Sequence, residues 1–529
     1  MHHPIQLNAL LFIPEIQYTL VSYLVDYVLE TDLKSCQSVS RTWREAFTHH
    51  LWKVRSLGIR AESDRYETAD ARTTLLRIGR HVRHVRVHAL EPLAAVLSFC
   101  PNITTLAVDA PLAGGKNGAW IELVTTINTC KRLETIAIRH WTGSSLAELT
   151  PGLSRTLACR LRHLAITTDL GVECPTSSLI DLLIALPWLS SLCLCTSEDW
   201  MIDHDVDVLK QHQFKLRSLQ IHDDRHGLLF DLWRQCALLE DLDLSTLRLP
   251  PWIAATVMDE FASLFDQRDD HGHPVRRVKS LTLPALITIQ DETLARVLRG
   301  CVPNRLTCLE VGESVIGRHT LRILLETQAT SLERLTMEGR VVKGMDPGPW
   351  IQRLLCACPR LRELRMRSAS SDITQVVRLH AHDIVGSSWV CSRLSSLHIP
   401  IIGIPTNLHT GADDNAVQMV NQVMRQIGKM KQLESLGTGF INDTSNTILR
   451  DTLPYSLGAG GLQHLASLKR LETLNVRRCA HRIRYAEARW MGEHWPRFRE
   501  VNGLDRLWEN DTSHPAQWLR SHGVYVPIS

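Results

Sequence analysis

The sequence predicts an α/β solenoid, on the evidence of two periodicities and of the chain length. Short apolar phrases with the two-residue period of a β-strand recur along most of the chain. The segments between them have the period of about 3.6 residues that marks amphipathic helices. The 529 residues are more than one ordinary hydrophobic core accommodates, so we expect an elongated repeat array or several domains.

The strand-like phrase has the form apolar-x-x-apolar-x-apolar, as in LRELRM at residues 361–366. Its last two apolar positions alternate with other residues, which places both on one face of a short strand. Successive copies mostly begin 21 to 33 residues apart, and three gaps are wider. The copies begin at Val82, Ile103, Leu133, Leu161, Leu189, Leu216, Leu239, Val278, Leu306, Leu332, Leu361, Leu394, Leu433 and Leu471.

Helical stripes lie between the phrases. In DETLARVLRGC, for example, Leu294, Val297 and Leu298 fall on one face of a helix. A helix followed by a strand, repeated at about 20 to 29 residues per unit, is the pattern of a leucine-rich repeat. On these phrases the chain resembles the leucine-rich repeat family over about residues 81–510. The resemblance implies a horseshoe with a parallel sheet on its concave face.

The cysteines fit the junctions of such repeats. We expect a small buried residue where each helix turns into a strand, and no CxxC pair suggests a zinc site. A metal or redox array is the alternative, but it requires convergent ligands, whereas cysteines of successive repeats lie about one repeat apart in a line. The junction cysteines lie two or three residues before a phrase and are Cys100, Cys130, Cys159, Cys236, Cys358 and Cys391.

Residues 8–54 form a different unit, with two predicted helices and more large apolar side chains than so small a core hides. Within it IPEI, SYL, DL, C, VSRTWR and LW occur in the order of the F-box motif, and the unit resembles that family. The matching positions are Ile13, Pro14, Glu15, Ile16, Ser22, Tyr23, Leu24, Asp32, Leu33, Cys36, Val39, Ser40, Arg41, Trp43, Arg44, Leu51 and Trp52.

The F-box resemblance implies three short helices that dock on a Skp-family adaptor, which joins F-box proteins to a cullin-based ubiquitin ligase. The segment VDYVLETD between Leu24 and Leu33 is longer than the usual spacing, so the first helix or the following loop is extended. A helical cap for the solenoid is the alternative, because terminal repeats require one. The residues expected at or behind the adaptor interface are Pro14, Ile16, Leu33, Val39, Arg41, Trp43, Leu51 and Trp52.

A protein target would bind the side chains that alternate with the buried ones along the strands. These trend from acidic in the middle of the chain to basic in the later strands, a pattern suited to a charged protein partner. An ordinary solvated face is the alternative. The candidate target-binding residues are Arg139, His222, Asp243, Glu310, Glu338, Arg365, Arg367 and His398.

Composition and motifs point away from other functions. The 59 Lys plus Arg balance 56 Asp plus Glu, so a nucleic acid or membrane partner is not expected. The sequence contains no apolar run of about 18 residues and no recognisable signal peptide. The acidic and histidine-rich stretch at 267–277 and the glycines at 114–118 fit loops better than a metal or phosphate site. We expect no cofactor and no catalytic activity.

We therefore predict an F-box-like helical domain at 8–54, a linker helix or loop at 55–80, a solenoid at 81–510 and a C-terminal cap or tail at 511–529. The aromatic cluster at 489–508 fits a terminal cap better than a binding site. The function expected is that of the substrate-recognition subunit of an SCF-type ubiquitin ligase in the cytoplasm or nucleus. A leucine-rich repeat interaction scaffold without a link to ubiquitination is the alternative.

Overall fold

The computed structural model forms two compact units, Met1–Ala237 and Leu238–Ser529. The F-box-like segment at 8–54 lies outside the residues that the structure describes, and so do all of its expected adaptor-binding residues. The described residues are 56–59, 69–88, 93–109, 119–141, 155–168, 174–195, 200–201, 211–222, 232–245, 251–268, 270–272, 274, 276–284, 289–342, 344–368, 377–404, 414–439, 451–477, 479, 481–504 and 515–527.

The first unit alternates helices with the strands of a parallel sheet. Its helices are α1 (Ala69–Ile78), α2 (Leu93–Phe99), α3 (Ala119–Ile127), α4 (Arg155–Ala158) and α5 (Thr176–Ala185). The sheet runs in chain order through β1 (Ser56–Ile59), β2 (His84–Val87), β3 (Thr105–Val108), β4 (Thr135–Trp141), β5 (His163–Thr168), β7 (Ser191–Cys195) and β9 (Ser218–His222). A separate pair joins β6 (Cys174–Pro175) to β8 (Trp200–Met201). The region 55–80, expected as a linker helix or loop, contains strand β1 as well as α1.

The second unit repeats this architecture. Its helices are α6 (Pro251–Leu264), α7 (Asp291–Gly300), α8 (Arg318–Thr327), α9 (Gly348–Ala357), α10 (Ala381–Ile384), α11 (Asp414–Gly428), α12 (Tyr485–His494) and α13 (Pro515–Ser521). The parallel sheet runs through β10 (Asp241–Asp243), β11 (Ser280–Thr282), β12 (Cys308–Ile316), β13 (Arg334–Val341), β14 (Glu363–Ser368), β16 (Ser396–His398), β18 (Ser435–Gly437), β19 (Thr473–Asn475) and β20 (Glu500–Asn502). Beside it, β15 (Leu379–His380) pairs with β17 (Ile401–Ile402).

The apolar positions of the phrase build the core of each unit. In β14, Leu364 and Met366 point inward and are 0% and 3% exposed, whereas Arg365 between them is half-buried and points outward. One parallel strand per repeat, taken in chain order with helices between, is a leucine-rich repeat solenoid. The predicted α/β leucine-rich repeat solenoid is therefore confirmed. Seven central leucines of the second unit are 0% exposed, and Leu242 of β10 is 2% exposed; the seven are Leu281, Leu309, Leu335, Leu364, Leu397, Leu436 and Leu474.

A recurring backbone contact, here named the shared-acceptor link, joins successive described repeats within each unit. The carbonyl oxygen of the residue just before a strand accepts two N–H groups from the next repeat. The Glu333 oxygen accepts from Arg362 N at 2.7 Å and from Glu363 N at 3.1 Å. The Arg362 oxygen accepts from Ser395 N at 2.7 Å and from Ser396 N at 3.0 Å. Two bonds to one oxygen set both the spacing and the register of neighbouring strands.

The junction cysteines are mostly buried, as expected, with one correction. Burial raises the pKa of the Cys100, Cys358 and Cys391 thiols to about 12, so these groups stay protonated and serve as small apolar side chains. Cys159, in contrast, is exposed. The buried junction residue of that repeat is Ala158, which is 7% exposed and lies three residues before Leu161. Position relative to the phrase, and not residue type, decides which side chain is buried.

Asp291 links two helices across a repeat boundary. Its carboxylate lies at the N-terminus of α8 and accepts hydrogen bonds from the backbone amides of Gly317 at 3.1 Å, His319 at 3.1 Å and Thr320 at 2.9 Å. A side chain at 317 would overlap this carboxylate, which explains the glycine there. The N-cap position of α8 thus receives its acceptor from the preceding repeat.

The C-terminal residues cover the last strand of the sheet. The Tyr525 amide donates to the Arg499 oxygen at 2.7 Å, and the Tyr525 oxygen accepts from Val501 N at 3.0 Å. Trp495 is 1% exposed, and its Nε1 donates to the Leu465 oxygen at 3.0 Å. The two Tyr525 contacts satisfy backbone groups at the edge of β20 that would otherwise be open to other chains.

Replacing Asp291 with Asn should weaken α8. The variant removes a charged acceptor from three amides, so we expect the opening free energy of α8 to fall by about 2 kcal/mol. Hydrogen exchange of the Arg318–Thr327 amides measures this quantity. Glu292→Gln is the matched control, because Glu292 is the exposed neighbour of Asp291, and should change the value by less than about 0.5 kcal/mol. An equal loss in both variants would contradict the capping role.

His481 should make the second unit sensitive to acid. Burial lowers the pKa of this imidazole, opposed by its hydrogen bond to the Gly503 oxygen, which lies 3.0 Å from Nε2. The unfolded chain therefore takes up a proton near the ordinary His pKa of about 6.5 while the folded chain does not. Stability from the neutral ring is full above that pH and is lost as the pH falls below it.

Denaturant titrations at a series of pH values test this sensitivity. As the pH falls from about 6.5 to 5, the free energy of unfolding should decrease in both proteins. The slope of that decrease should be smaller in His481→Asn than in wild type, and the two slopes should differ by up to about 1.4 kcal/mol per pH unit. His271→Asn, at an exposed histidine, should keep the wild-type slope. Parallel slopes for all three proteins would rule out His481 as the source.

Candidate partner-binding surface

The outward positions of the second unit fall into rows across its sheet. Register aligns the middle outward residue of each strand with that of the next, at the spacing of about 4.8 Å between neighbouring strands. We name this alignment the central row. It consists of Asp243, Thr282, Glu310, Thr336, Arg365, His398, Gly437, Asn475 and Asn502.

The structure brings four of the expected target-binding residues into the central row, namely Asp243, Glu310, Arg365 and His398. Glu338 and Arg367 are backbone register partners on β13 and β14. They lie two residues further along these strands than the central row, and so beside it. Arg139 and His222 belong to the first unit, where the His222 backbone pairs with Cys195 at the end of β9. The expected set is therefore distributed over the two units.

The central row changes charge along its length. Asp243 and Glu310 place carboxylates toward its first strands, and Arg365 and His398 follow on β14 and β16. At the acidic end Asp243 Oδ1 accepts a hydrogen bond from Ser245 N at 2.9 Å. Partial burial and repulsion from Glu240 raise the pKa of the neighbouring Asp241 carboxyl, and Lys279 opposes that shift. The row ends at Asn475, which is only 8% exposed, and at the half-buried Asn502.

Arg365 is held in place at the centre of the basic part. Its Nε lies 2.6 Å from Glu363 Oε1 and 3.4 Å from Ser396 Oγ. Glu363 occupies the preceding outward position of the same strand, so the two side chains lie on one face. The pair is partly exposed and contributes little to stability, but it restricts the orientation of the guanidinium. A partner would meet a positioned cation.

His398 depends on the absence of a side chain at its neighbour Gly437. The ring nitrogen Nε2 lies 2.8 Å from Ser435 Oγ on the adjacent strand. A Cβ at residue 437 would overlap the other ring nitrogen, Nδ1. Gly437 thus gives the imidazole the space to lie across strand β18.

In the first unit, Asp109 gathers three basic side chains. Its side chain is 10% exposed, and Oδ2 lies 2.5 Å from Arg86 Nε and 3.5 Å from His88 Nδ1. Arg139 Nε approaches the other oxygen, Oδ1, at 3.3 Å. Two guanidiniums around one carboxylate leave a net positive patch, which we name the Asp109 cluster. Arg139, expected from the sequence, is one member of it.

Sequence reasoning missed Asp109, Glu363 and Ser435, which position the expected residues. Each occupies an outward strand position or the residue directly after a strand, so the alternation of the phrase contains the signal. The sequence does not reveal the register between strands. The residue that contacts an outward side chain usually belongs to another repeat, so it cannot be identified without that register.

Other kinds of site are not found in the part of the chain that the structure describes. No group of three or more His, Cys, Asp or Glu residues there could hold a metal ion. No described helix is long and apolar enough to cross a membrane. The exposed large apolar residues of the described ranges, such as Trp188 and Val390, lie outside the central row. The surface suits polar recognition.

Gly437→Ala should displace the His398 ring. The new methyl group occupies the position of the ring edge, so the contact with Ser435 Oγ breaks and stability falls by about 1–3 kcal/mol. The shift of the His398 ring resonances in a nuclear magnetic resonance spectrum reports the displacement. Ser435→Ala removes the hydroxyl but leaves the space open, so the unfolding free energy there should change by no more than about 1 kcal/mol. Unchanged ring resonances in Gly437→Ala would exclude this arrangement.

Comparison with known proteins returns solved structures alone. No family model matches the chain, and no curated protein matches it. The chain is similar to a leucine-rich repeat protein of Leptospira interrogans, with 13% identity, 81% of this chain and 97% of that chain covered, and a TM-score of 0.39. It is similar to a chain of the yeast Rad7 and Elc1 complex, with 12% identity, coverage of 99% and 98%, and a TM-score of 0.36.

A further similarity is to the leucine-rich repeat-containing protein LegL7 from Legionella pneumophila, with 15% identity, 61% of this chain and 87% of that chain covered, and a TM-score of 0.28. Identities and TM-scores this low do not assign the fold. The fold is assigned from the strand order and pairing of the chain itself. One parallel strand per repeat, in chain order, makes each unit a leucine-rich repeat solenoid.

Proposed function

We propose that this chain is a non-catalytic recognition subunit of an SCF-type ubiquitin ligase. In this proposal the repeats bind a protein target, and the F-box-like segment at 8–54 docks a Skp-family adaptor that leads to a cullin. The chain itself performs no chemistry. It raises the rate of ubiquitin transfer by keeping the target close to the transferring enzyme. Such a subunit acts in the cytoplasm or nucleus.

The central row is the observation that supports target binding most directly. It spans eight strand spacings of about 4.8 Å, or roughly 38 Å, which matches the dimension of a standard protein interface. Its charges are ordered, from carboxylates at Asp243 and Glu310 to the guanidinium of Arg365. Ordered charge on a rigid sheet selects among partners and accelerates encounter more than it adds affinity.

The order of the motif residues supports the adaptor part of the proposal. Pro14 and Ile16 begin the match, Leu33 and Val39 continue it, and Trp43 lies in the VSRTWR stretch. The segment is short and apolar, so a partner surface would cover side chains that its own core cannot.

Pro14→Ala combined with Ile16→Ala should reduce adaptor binding. We expect purified full-length chain to form a complex with a Skp-family adaptor, and the double variant to bind at least about tenfold more weakly, or about 1.4 kcal/mol. Isothermal titration measures both affinities. Pro4→Ala combined with Ile5→Ala is a matched control, because the same two residue types stand outside the motif. It should bind as wild type does.

The adaptor proposal fails if wild-type chain binds no Skp-family adaptor or if both double variants lose affinity equally. The chain would then be an interaction scaffold without a link to ubiquitination. Arg365→Glu separates the two halves of the proposal, since it should leave adaptor affinity unchanged. Proximity labelling in the native cell with wild type and Arg365→Glu then identifies target proteins by their loss from the variant.

A further inference from the structure

A second charged surface lies where the chain enters the strands of the second unit, away from the central row. We name the side of the sheet at which the chain enters its strands the entry edge. The residue two positions before each shared-acceptor residue lies in the turn at this edge. That position is Arg360 before β14, Arg393 before β16, Arg470 before β19 and Arg497 before β20. On the intervening repeat it is Gln432, and Lys431 is its neighbour. We name Arg360, Arg393, Lys431, Arg470 and Arg497 the basic row.

The shared-acceptor links fix the spacing of the basic row. The Ser395 oxygen accepts from Glu434 N at 2.7 Å, and the Glu434 oxygen accepts from Glu472 N at 2.8 Å. The Glu472 oxygen accepts from Arg499 N, also at 2.8 Å. Each link places the next turn about one strand spacing further on, so the five cations extend over roughly 19 Å. Four of the five cations therefore occupy one register position, and Lys431 is offset from that position by one residue.

The charges of the basic row are open to solvent. All five side chains belong to exposed residues. In the described part of the chain, no carboxylate lies within 4.0 Å of their charged nitrogens. Two carboxylates, Glu434 and Glu472, belong to the turns of these repeats. Further cations lie beside the basic row. The adjoining cations are Arg362, Lys429, Lys469 and Arg499.

A cavity of about 660 Å³ opens in the middle of this edge. Its charged lining is Arg362, Arg393, Lys429, Lys431 and Arg470, with Glu434 as the single carboxylate. Two serines and a glutamine complete the lining, so no lining side chain is apolar or aromatic. Arg362 also lies 3.6 Å from Glu333 Oε2, an exposed contact that water and salt weaken.

The lining chemistry discriminates between classes of polyanion. The lining carries five cations against one carboxylate, whereas the central row mixes both signs of charge, so this edge favours a polyanion over a protein surface of mixed charge. Proteins that bind single-stranded nucleic acid stack bases on aromatic side chains, which this cavity lacks. Contacts to the phosphates of a duplex come from Arg, Lys, Ser and Gln side chains, the types found here. Over roughly 19 Å a B-form duplex carries about eleven phosphate charges, enough to meet the whole row.

We propose that the basic row binds the phosphodiester backbone of a nucleic acid duplex without reading its sequence. The whole chain is nearly neutral, with 59 basic and 56 acidic residues, but this count does not describe any one surface. The fold can still gather basic side chains at one edge and acidic ones elsewhere. The proposal is independent of the adaptor and target proposals, since its residues lie outside both surfaces.

The salt dependence of duplex binding tests the proposal. Full-length chain is titrated with a mixed-sequence DNA duplex of about 20 base pairs, and with the same duplex in RNA, between about 50 and 200 mM salt. The variant Arg360→Gln, Arg393→Gln, Lys431→Gln, Arg470→Gln should bind more weakly. Its plot of log affinity against log salt should be shallower by about 3 to 4 units, or about one unit for each phosphate that the variant no longer neutralises.

A matched variant controls for net charge. Arg299→Gln, Arg322→Gln, Arg353→Gln, Arg425→Gln removes the same number of charges from exposed positions on the helices of the same unit. It should keep the wild-type slope. Binding of either duplex with this difference between variants supports the proposal, and the preferred duplex identifies DNA or RNA as the source of the backbone. Equal slopes for the two variants would overturn it.

Two further probes separate duplex binding from other polyanion binding. Poly-glutamate stands for an acidic protein segment, and vesicles containing phosphatidylserine stand for an anionic membrane surface. Binding to either of these without binding to a duplex would overturn the proposal. So would the absence of duplex binding at the lowest salt concentration.

Discussion

Within each unit, the described repeats are joined through one carbonyl oxygen of the repeat before. In both units the residue just before a strand accepts two backbone N–H groups from the following repeat, for example at Arg83, Glu134, Glu333 and Glu472. This shared acceptor supplies a partner for two backbone donors at the point where the chain enters each strand. It also fixes the register, and a register error of one residue would exchange every buried leucine for an outward polar side chain.

The same constraint arranges the polar surface. Because strands align residue by residue, side chains separated by a whole repeat in sequence become neighbours about 4.8 Å apart. That is how Arg365 meets Ser396 and how His398 meets Ser435. Turn residues are aligned in the same way, which turns scattered arginines into the basic row. A solenoid thus converts a sequence period into two separate lines of charge, one on the sheet face and one at the entry edge.

Much of the fold follows from the sequence, and the exceptions are instructive. The phrase starts at Leu332 and Leu361 predict β13 and β14, and the stripe in DETLARVLRGC predicts α7. The exposed Cys159 does not follow, because its residue type suggested burial while the junction position in that repeat belongs to Ala158. The cap of α8 does not follow either. Its acceptor, Asp291, begins the preceding helix, and no local signal near Gly317 reveals it.

The sequence by itself determined the class of fold, the face that each strand buries and the types of side chain on the outward face. These follow from local period, since alternation in a strand is a property of the backbone. Tertiary structure decided which outward side chains meet. Only the register joins Asp109 to Arg86 and Arg139 and aligns Arg393 with Arg470 at one edge. Those neighbours come from different repeats, and the backbone hydrogen bonds that bring them together do not depend on side-chain identity.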